Sequence, residues 1–287
     1  MRRNPLTGER VLVVPGRAGR PGATGRTVRT GDPATCPFCE GHERLTPPEL
    51  AAYGRRGGER DAPGWTVRVV PNRFPAFDGQ EVVIHGPGHA AALTDLAPGV
   101  LDRVVAAWGD RRNHHASSGA GYLLIAVNEG AAAGASLDHS HSQLVPFPEP
   151  PPVATLEMAA FAAGCPLCEQ PANVIQATGG LVSFCPPWSR MPYEAWIAPS
   201  AHEARAPLDP PLADALADMA GRYHRLLGAG VAWNAIVHDG PLAGGAPFHW
   251  HVELTPRLTV AAAVELGAGI WVNVVDPARA AAELAEA

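Results

Sequence analysis

The chain contains no lysine, because all 22 of its basic residues are arginine. Schiff-base catalysis and the Walker A phosphate loop both need lysine and are therefore excluded. Any phosphate group would have to be held by arginine, by backbone amides or by neutral donors. Charged residues make up only 17% of the chain and its formal net charge is -6. This balance excludes the basic surface that nucleic acid binding requires, so we expect no nucleic acid partner.

Long apolar runs are also absent. No segment approaches the roughly 18 apolar residues of a membrane span, and no apolar signal core follows the arginines near residue 1. We therefore expect a cytoplasmic protein without a membrane partner. A hydrophobic fraction of 46% over 287 residues is sufficient for a buried core.

The chain carries an internal repeat. Residues 127–148 align without a gap on residues 237–258, which pairs His139 with His249 and His141 with His251. Each half has the same order: C-x-x-C, a strand that leads to a histidine, a helix, a strand, a loop of small residues and H-x-H. Helical spacing of apolar residues predicts helices over 98–112 and 211–227. The order predicts an α+β fold of two tandem modules, 1–150 and 151–287, with mainly antiparallel sheets flanked by helices.

Four of the five cysteines form two C-x-x-C pairs, which supply thiolates at the separation that zinc requires. We predict two zinc sites per chain, with iron as the alternative metal in the second. A redox pair or incidental pairing remains the alternative for either motif, and a closed four-ligand site usually has a purely structural role. Cys185 is unpaired and is predicted to be a small buried hydrophobe. The predicted ligands are Cys36, Cys39, His89 and His139 in the first half, and Cys165, Cys168, His202 and His249 in the second.

The second histidine of each H-x-H pair is left for another role. Alternate residues of a strand face the same side about 7 Å apart, so one histidine can bind metal while the next meets a substrate. Around His141 the neighbouring groups suit an anion: the amides of Gly134 and Ala135, the Ser136 hydroxyl and the Gln143 amide. In the second half Glu253 stands in the place of Gln143 and would repel a phosphate. We therefore predict one active half and one structural half.

Several motifs in order resemble the galactose-1-phosphate uridylyltransferase family of the histidine-triad superfamily. They are "NPLTGERVLVVPGRAGRP", "CPFC", "PNRFPAF", "NEGAAAGASLDHSHSQ" and "FHWHVELTPRL", and the resemblance runs from about residue 4 to about residue 275. It implies two tandem histidine-triad-like modules. It also implies transfer of UMP from a UDP-hexose to a hexose 1-phosphate, in ping-pong fashion, through a covalent nucleotidyl-histidine.

The resemblance also implies roles for individual residues. His141 would be the nucleophile, with its Nδ1 held by the carbonyl of His139, and Gln143 and Ser136 would donate to the α-phosphoryl oxygens. The implied substrate contacts are Arg17 and Arg20 at the phosphates, Asn72 and Phe74 around the uridine, Asn128 at the nucleotide loop and Glu265 at the hexose hydroxyls. Two departures concern the substrate. The triplet here is H-S-H-S-Q, where H-P-H-G-Q is commonest in the family, and Val264 replaces an aromatic residue.

Two alternatives to the uridylyltransferase hypothesis remain open. H-S-H-S-Q is also associated with relatives such as ADP-glucose phosphorylase, in which inorganic phosphate accepts the nucleotide. A catalytically silent, zinc-stabilised protein that binds sugar nucleotides is the alternative from another class. The expected partners are a nucleotide sugar and a sugar phosphate. The family also implies a homodimer whose sites use residues from both chains.

Overall fold

The computed structural model describes residues 2–3, 10–11, 31–55, 57–168 and 171–287. Within these ranges the backbone forms twelve strands and five α-helices. The strands are β1 Arg2–Arg3, β2 Arg10–Val11, β3 Ala51–Tyr53, β4 Val67–Pro71, β5 Glu81–His85, β6 Tyr122–Glu129, β7 His141–Phe147, β8 Val174–Thr178, β9 Leu181–Phe184, β10 Ala195–Pro199, β11 Trp233–His238 and β12 His251–Pro256. The helices are α1 Val100–Ser117, α2 Pro152–Ala163, α3 Pro210–Leu227, α4 Ala263–Ala268 and α5 Pro277–Glu286.

Ten of these strands form a single sheet in the order β3-β4-β5-β7-β6-β11-β12-β10-β9-β8. All nine pairings in it are antiparallel. The order is symmetric about the β6–β11 pair, so each half of the chain supplies five strands in the same arrangement. The predicted α+β class, with two repeated modules and antiparallel strands, is confirmed. The two half-sheets join edge to edge into one sheet, from Trp233 opposite Glu129 to Val237 opposite Ile125.

Both predicted helices are present. α1 follows Gly99, whose positive φ of 75° suits glycine, and it continues to Ser117, beyond the predicted end at residue 112. α3 begins with two prolines after Asp209, which agrees with the preference for proline in the first helical turn. Three further helices, α2, α4 and α5, were not predicted. Of these, α2 and α5 also begin with proline.

The helices α1 and α3 cover one face of the sheet and share one hydrophobic core with it. This core spans both halves, because its buried members include Trp108 of α1, Leu216 of α3 and Trp233 of β11. The opposite face carries a separate small cluster in each half, around Phe38 in the first and Phe248 in the second. Since side chains alternate along a strand, Ser142 and Leu144 of β7 point to the helices. His141 and Gln143 therefore point to the opposite face.

Polar contacts also cross the junction of the two halves. The carboxylate of Glu129 accepts from Trp233 Nε1 at 2.8 Å, and Arg112 Nη1 donates to Asp239 Oδ2 at 2.7 Å. Burial raises the pKa of Glu129 to about 7. Among the described residues, no helix is long and apolar enough to cross a membrane.

Because the sheet and core are continuous, we expect the two halves to unfold together in one transition. Trp233→Ala should lower the free energy of unfolding by about 3–5 kcal/mol, because it removes a large buried side chain from the junction. Far-UV circular dichroism and tryptophan fluorescence during urea denaturation would measure this. Trp271→Ala is the matched control, since Trp271 is 46% exposed and its loss should change stability little. Two separated transitions in the wild type would contradict the expectation.

Candidate active site and metal clusters

The predicted ligands of the first half come together at one end of β7. Cys36 and Cys39 lie in a turn, His89 follows β5, and His139 lies two residues before the first residue of β7. Ligand atoms from all four lie within 4.8 Å of one another. His139 Nδ1 lies 3.6 Å from Cys36 Sγ and 3.7 Å from Cys39 Sγ, and His89 Nδ1 lies 3.4 Å from Cys39 Sγ. The topology thus joins residues that are about a hundred positions apart in the chain.

These distances fit a tetrahedral zinc site. Zinc bond lengths to sulfur and nitrogen at a tetrahedral angle imply sulfur–nitrogen separations of about 3.6 Å. His139 Nε2 donates to the carbonyl of Gly86 at 3.1 Å, which leaves the Nδ1 lone pair for a metal. Burial lowers the pKa of His139 to about 4, so the ring is neutral at pH 7, as a metal ligand must be. Burial and the neighbouring Cys36 raise the pKa of Cys39 to about 12, so metal binding there releases protons.

The second half repeats this arrangement. His249 Nδ1 lies 3.2 Å from Cys165 Sγ and 3.7 Å from Cys168 Sγ, and His202 Nδ1 lies 3.1 Å from Cys168 Sγ. His249 Nε2 donates to the carbonyl of Pro199 at 3.1 Å, as His139 does to Gly86. This cluster has the same types of ligand as the first, and a backbone carbonyl again orients its buried histidine. It could therefore also hold zinc. It is more exposed than the first, since Cys168 lies at the surface.

His141 is the first residue of β7 and lies beside the first cluster without belonging to it. Its Nδ1 lies 2.7 Å from the carbonyl oxygen of His139 and must donate to it. This hydrogen bond fixes the tautomer, so that the lone pair of the neutral ring is on Nε2. Phe38, from the C-P-F-C turn, packs edge-on against the ring with centroids 5.3 Å apart. The His141 ring is thus held by a backbone acceptor and an aromatic neighbour.

A cavity of about 550 Å³ opens beside His141 on the face of the sheet opposite α1 and α3. This volume is in the usual range for small-molecule sites. Four predicted site residues line the cavity together with His141: Asn72, Phe74, Ser136 and Gln143. Its remaining lining residues are Thr35, Pro37, Phe38, Arg44, Leu45, Thr46, Pro47, Val70, Pro71, Arg73, Val82 and Leu137.

Two other predicted substrate residues, Asn128 and Glu265, are described and do not line this cavity. Asn128 lies on β6, where its Oδ1 accepts from Asn234 Nδ2 at 2.6 Å. Glu265 lies on α4, where its Oε2 accepts from the amide of Ala262 at 2.9 Å. Arg17 and Arg20 lie outside the described residues.

The loop between β6 and β7 depends on glycine at two positions. Gly130 has a φ of 78°, and a Cβ there would lie 2.8 Å from the Cβ of Ala232. Gly134 has a φ of 88°, a left-handed conformation that residues with a side chain rarely adopt. The chain can therefore turn tightly here and present Ser136 to the cavity.

The counterpart of His141 in the second half is enclosed. His251 is 1% exposed, and its ring stacks on Trp196 at 4.5 Å and on His238 at 4.7 Å between centroids. Burial lowers its pKa to about 3. As in the first half, its Nδ1 lies close to a backbone carbonyl, 3.1 Å from the oxygen of His249. Its position agrees with the expectation that one half is structural.

His251 belongs to a third cluster, which was not predicted from the sequence. Glu157, His238, His251 and Glu253 place ligand atoms within 4.8 Å of one another. His238 Nδ1 lies 2.8 Å from Glu157 Oε1, but His251 Nε2 is 3.8 Å from the same oxygen, too far for a hydrogen bond. Among the described residues, no hydrogen-bond partner faces three buried atoms of this cluster: His238 Nε2, His251 Nε2 and Glu157 Oε2. Two imidazoles and two carboxylates could hold a divalent cation, and such a mixed set also suits iron.

Two of the residues missed in the first half line or adjoin the cavity. Phe38 was visible within the C-P-F-C motif, but nothing in the sequence placed it against His141. Gln80 Nε2 lies 2.7 Å from Gln143 Oε1, a contact that depends on how β5 pairs with β7. No pattern in the sequence indicates that register.

The fold and the two Cys–His clusters define two tandem histidine-triad-like modules, with a histidine at the wall of a cavity. Residues 75–146 match the model described as "Galactose-1-phosphate uridyl transferase, N-terminal domain". The resemblance noted in the sequence is confirmed: this segment is similar to the galactose-1-phosphate uridylyltransferase family.

Individual relatives are similar over most of the chain. An ADP-glucose phosphorylase of Arabidopsis thaliana is 29% identical, over 96% of this chain and 90% of the relative. A galactose-1-phosphate uridylyltransferase of Thermotoga maritima is 26% identical, over 100% of this chain and 98% of the relative. The crystal structure of the Arabidopsis ADP-glucose phosphorylase with bound ADP-glucose superimposes with a TM-score of 0.80 at 27% identity, covering 88% of this chain and 90% of that one.

We expect Cys39→Ala to remove about one equivalent of metal per chain and to lower thermal stability, because three ligands hold zinc far less tightly than four. Inductively coupled plasma mass spectrometry of the purified protein would measure the loss. Cys185→Ala is the matched control, since Cys185 is fully buried but lies outside the three clusters. Equal metal content in Cys39→Ala and wild type would show that the first cluster is not a metal site.

Proposed function

We propose that this chain is a nucleotidyltransferase that acts on nucleoside diphosphate sugars through a covalent nucleotidyl-histidine at His141. The observation that carries the proposal is the position of His141 at the cavity wall, with its Nδ1 held by the His139 carbonyl at 2.7 Å. A neutral imidazole with its lone pair on Nε2 is both a nucleophile and a leaving group near neutral pH. Relatives named for two reactions on sugar nucleotides or sugar phosphates support the same class of chemistry.

The proposed first step is a displacement at the α-phosphorus. The His141 Nε2 lone pair forms the nitrogen–phosphorus bond, and the bond from phosphorus to the bridging oxygen breaks. Its electron pair leaves with that oxygen as part of the hexose 1-phosphate. The Nδ1 proton stays on the ring and in its hydrogen bond to His139, which stabilises the positive charge that develops. In the second step a phosphate oxygen of the acceptor attacks the same phosphorus and the nitrogen–phosphorus bond breaks.

In this proposal neutral side chains serve the α-phosphoryl oxygens. Ser136 and Gln143 line the cavity with His141 and would donate to the α-phosphoryl oxygens, where charge shifts during transfer. Asn72 and Phe74 line the same cavity and would contact the nucleoside. Asn128, Arg17 and Arg20 keep the roles that the resemblance implies. A metal at the first cluster would supply structural support for His139 and therefore for His141.

His141→Ala should abolish formation of the nucleotidyl adduct, because it removes the Nε2 lone pair that would form the bond to phosphorus. Brief incubation with UDP-glucose or ADP-glucose, followed by intact-protein mass spectrometry, should show an acid-labile nucleoside monophosphate adduct on the wild type. The variant should lose activity by at least about 10³-fold, the scale of removing a nucleophile. His224→Ala, at an exposed position of α3, is the control. A wild type that binds nucleotide sugars but forms no adduct would indicate the silent binding protein instead.

Two specific reactions fit this chemistry. The first is uridylyl transfer from UDP-glucose to galactose 1-phosphate, which the family match and the Thermotoga relative support. The second is phosphorolysis of ADP-glucose. It is supported by the Arabidopsis relative at 29% identity, whose crystal structure contains ADP-glucose. The two reactions share the nucleotidyl-histidine and differ only in the base and in the acceptor.

A panel of donors and acceptors separates the two reactions. We expect UDP-glucose with galactose 1-phosphate to release glucose 1-phosphate, measured by a coupled dehydrogenase assay. The crossed pairs, UDP-glucose with phosphate and ADP-glucose with either acceptor, are the matched controls. Turnover of ADP-glucose with phosphate alone would replace the uridylyltransferase proposal by the phosphorylase one.

The remaining expectations concern assembly and location. Among the described residues of one chain, α4 contributes none to the cavity beside His141, so Glu265 would reach a hexose there from another chain. A homodimer, in which this segment of one chain meets the cavity of another, is therefore part of the proposal. Exposed apolar side chains near α4, including Val260, Leu266 and Ile270, are consistent with a covered surface. We further propose that the module 1–150 carries the chemistry, that 151–287 is mainly structural, and that the protein is cytoplasmic.

A further inference from the structure

Gln80 lies at the end of the loop that joins β4 to β5, directly before Glu81. It is 4% exposed, and its side chain contacts both this loop and Gln143 on β7. We infer that Gln80 is a positioning residue, which fixes the end of the Gln143 amide that is offered to the phosphoryl group. The inference rests on the proposed function of the His141 site and adds a residue to it.

The direction of the contacts follows from a backbone donor. The amide of Ala76 can only donate, and it lies 2.7 Å from Gln80, so the atom that it meets must be the carbonyl oxygen Oε1. The other end of Gln80 is therefore the Nε2 group, which can only donate. It lies 2.7 Å from Gln143, whose facing atom must be Oε1.

This relay leaves the Nε2 group of Gln143 as the end that can serve a ligand in the cavity. A phosphoryl oxygen needs a donor, so this orientation stabilises the developing charge. If Gln143 turned over, its carbonyl oxygen would meet the phosphoryl oxygen, and its Nε2 group would oppose that of Gln80. Gln80 is buried, so water could not readily satisfy the donors that would then face each other.

A purely structural role for Gln80 can be separated from this one. The loop is also held by backbone contacts, from Asn72 N to Gln80 O at 2.8 Å and from Gln80 N to Phe77 O at 3.2 Å. Of the contacts that hold the loop, only the one from the Ala76 amide uses the Gln80 side chain. A carboxylate oxygen at position 80 can accept that hydrogen bond as well. Gln80→Glu therefore keeps the shape and the loop contact but loses the donor to Gln143.

The test measures single-turnover nucleotidylation of His141 with the nucleotide sugar that labels the wild type. Gln80→Glu should slow this step about 10²-fold, the scale of losing one donor to a developing oxyanion. Substrate affinity should change much less than the rate. Gln176→Glu is the matched control, because it makes the same change of charge on β8, at the far edge of the sheet.

Two further readouts distinguish positioning from simple damage. As the pH falls through the pKa of the introduced carboxyl group, its protonated form can donate to Gln143 again. The ratio of wild-type to variant rate should therefore shrink at low pH. In a Gln143→Met background there is no amide to orient, so Gln80→Glu should cause little further loss. If Gln80→Glu does not fold, Gln80→Met replaces it, with an expected loss of about tenfold for one neutral hydrogen bond.

The outcomes separate this inference from the proposed function. A wild type that labels normally, with a Gln80→Glu rate within twofold of it, would overturn the role of Gln80 alone. Fully additive losses in the double variant would do the same. A wild type that forms no adduct would overturn the proposed function and this inference with it.

Discussion

The site depends on one short spacing, the two residues from His139 to His141 at the start of β7. His139 is fixed by three contacts: Nδ1 faces the cysteines, Nε2 donates to Gly86, and its carbonyl accepts from His141. A metal at the first cluster would therefore act on the chemistry only through the position of a backbone carbonyl. That position sets both the tautomer and the orientation of the His141 imidazole. The cluster therefore positions the reactive ring through this one hydrogen bond.

The two halves use the same repeat positions for different chemistry. Residues 128, 141 and 143 of the first half are asparagine, histidine and glutamine. The two amides carry no charge, and the histidine has a neutral form. Their repeat counterparts are His238, His251 and Glu253, which face one another in the third cluster. Replacement of amides by imidazole and carboxylate converts an open, anion-compatible surface into a closed set of potential metal ligands. Trp196 stacks on His251 and covers one face of its ring.

Much of this could be predicted from the sequence because a repeat provides an internal comparison. The aligned cysteines and histidines gave both Cys–His clusters, and apolar spacing gave α1 and α3. The third cluster was missed because Glu157 lies on α2, which has no counterpart in the aligned segments. Its other members lie within the repeat, where His238 replaces Asn128 and Glu253 replaces Gln143. The contact of Gln80 with Gln143 was missed for another reason: it depends on the β5–β7 register and on the course of a loop, which residue patterns do not specify. The predicted division at residue 150 does not separate two hydrophobic cores, because one core spans both halves.

The lack of lysine gives the candidate site a particular electrostatic character. Among the described residues that line the cavity, the basic side chains are Arg44 and Arg73, and His141 is accompanied by hydroxyl and amide groups. Cationic side chains that bind phosphate strongly would stabilise the bound diphosphate and the nucleotidyl-histidine equally. Such uniform binding does not accelerate a displacement. Neutral donors that are held in one orientation can instead stabilise the transition state, in which charge moves onto the phosphoryl oxygens. Orientation then becomes the limiting property of the site, which is why a buried amide behind Gln143 matters to a reaction that it does not touch.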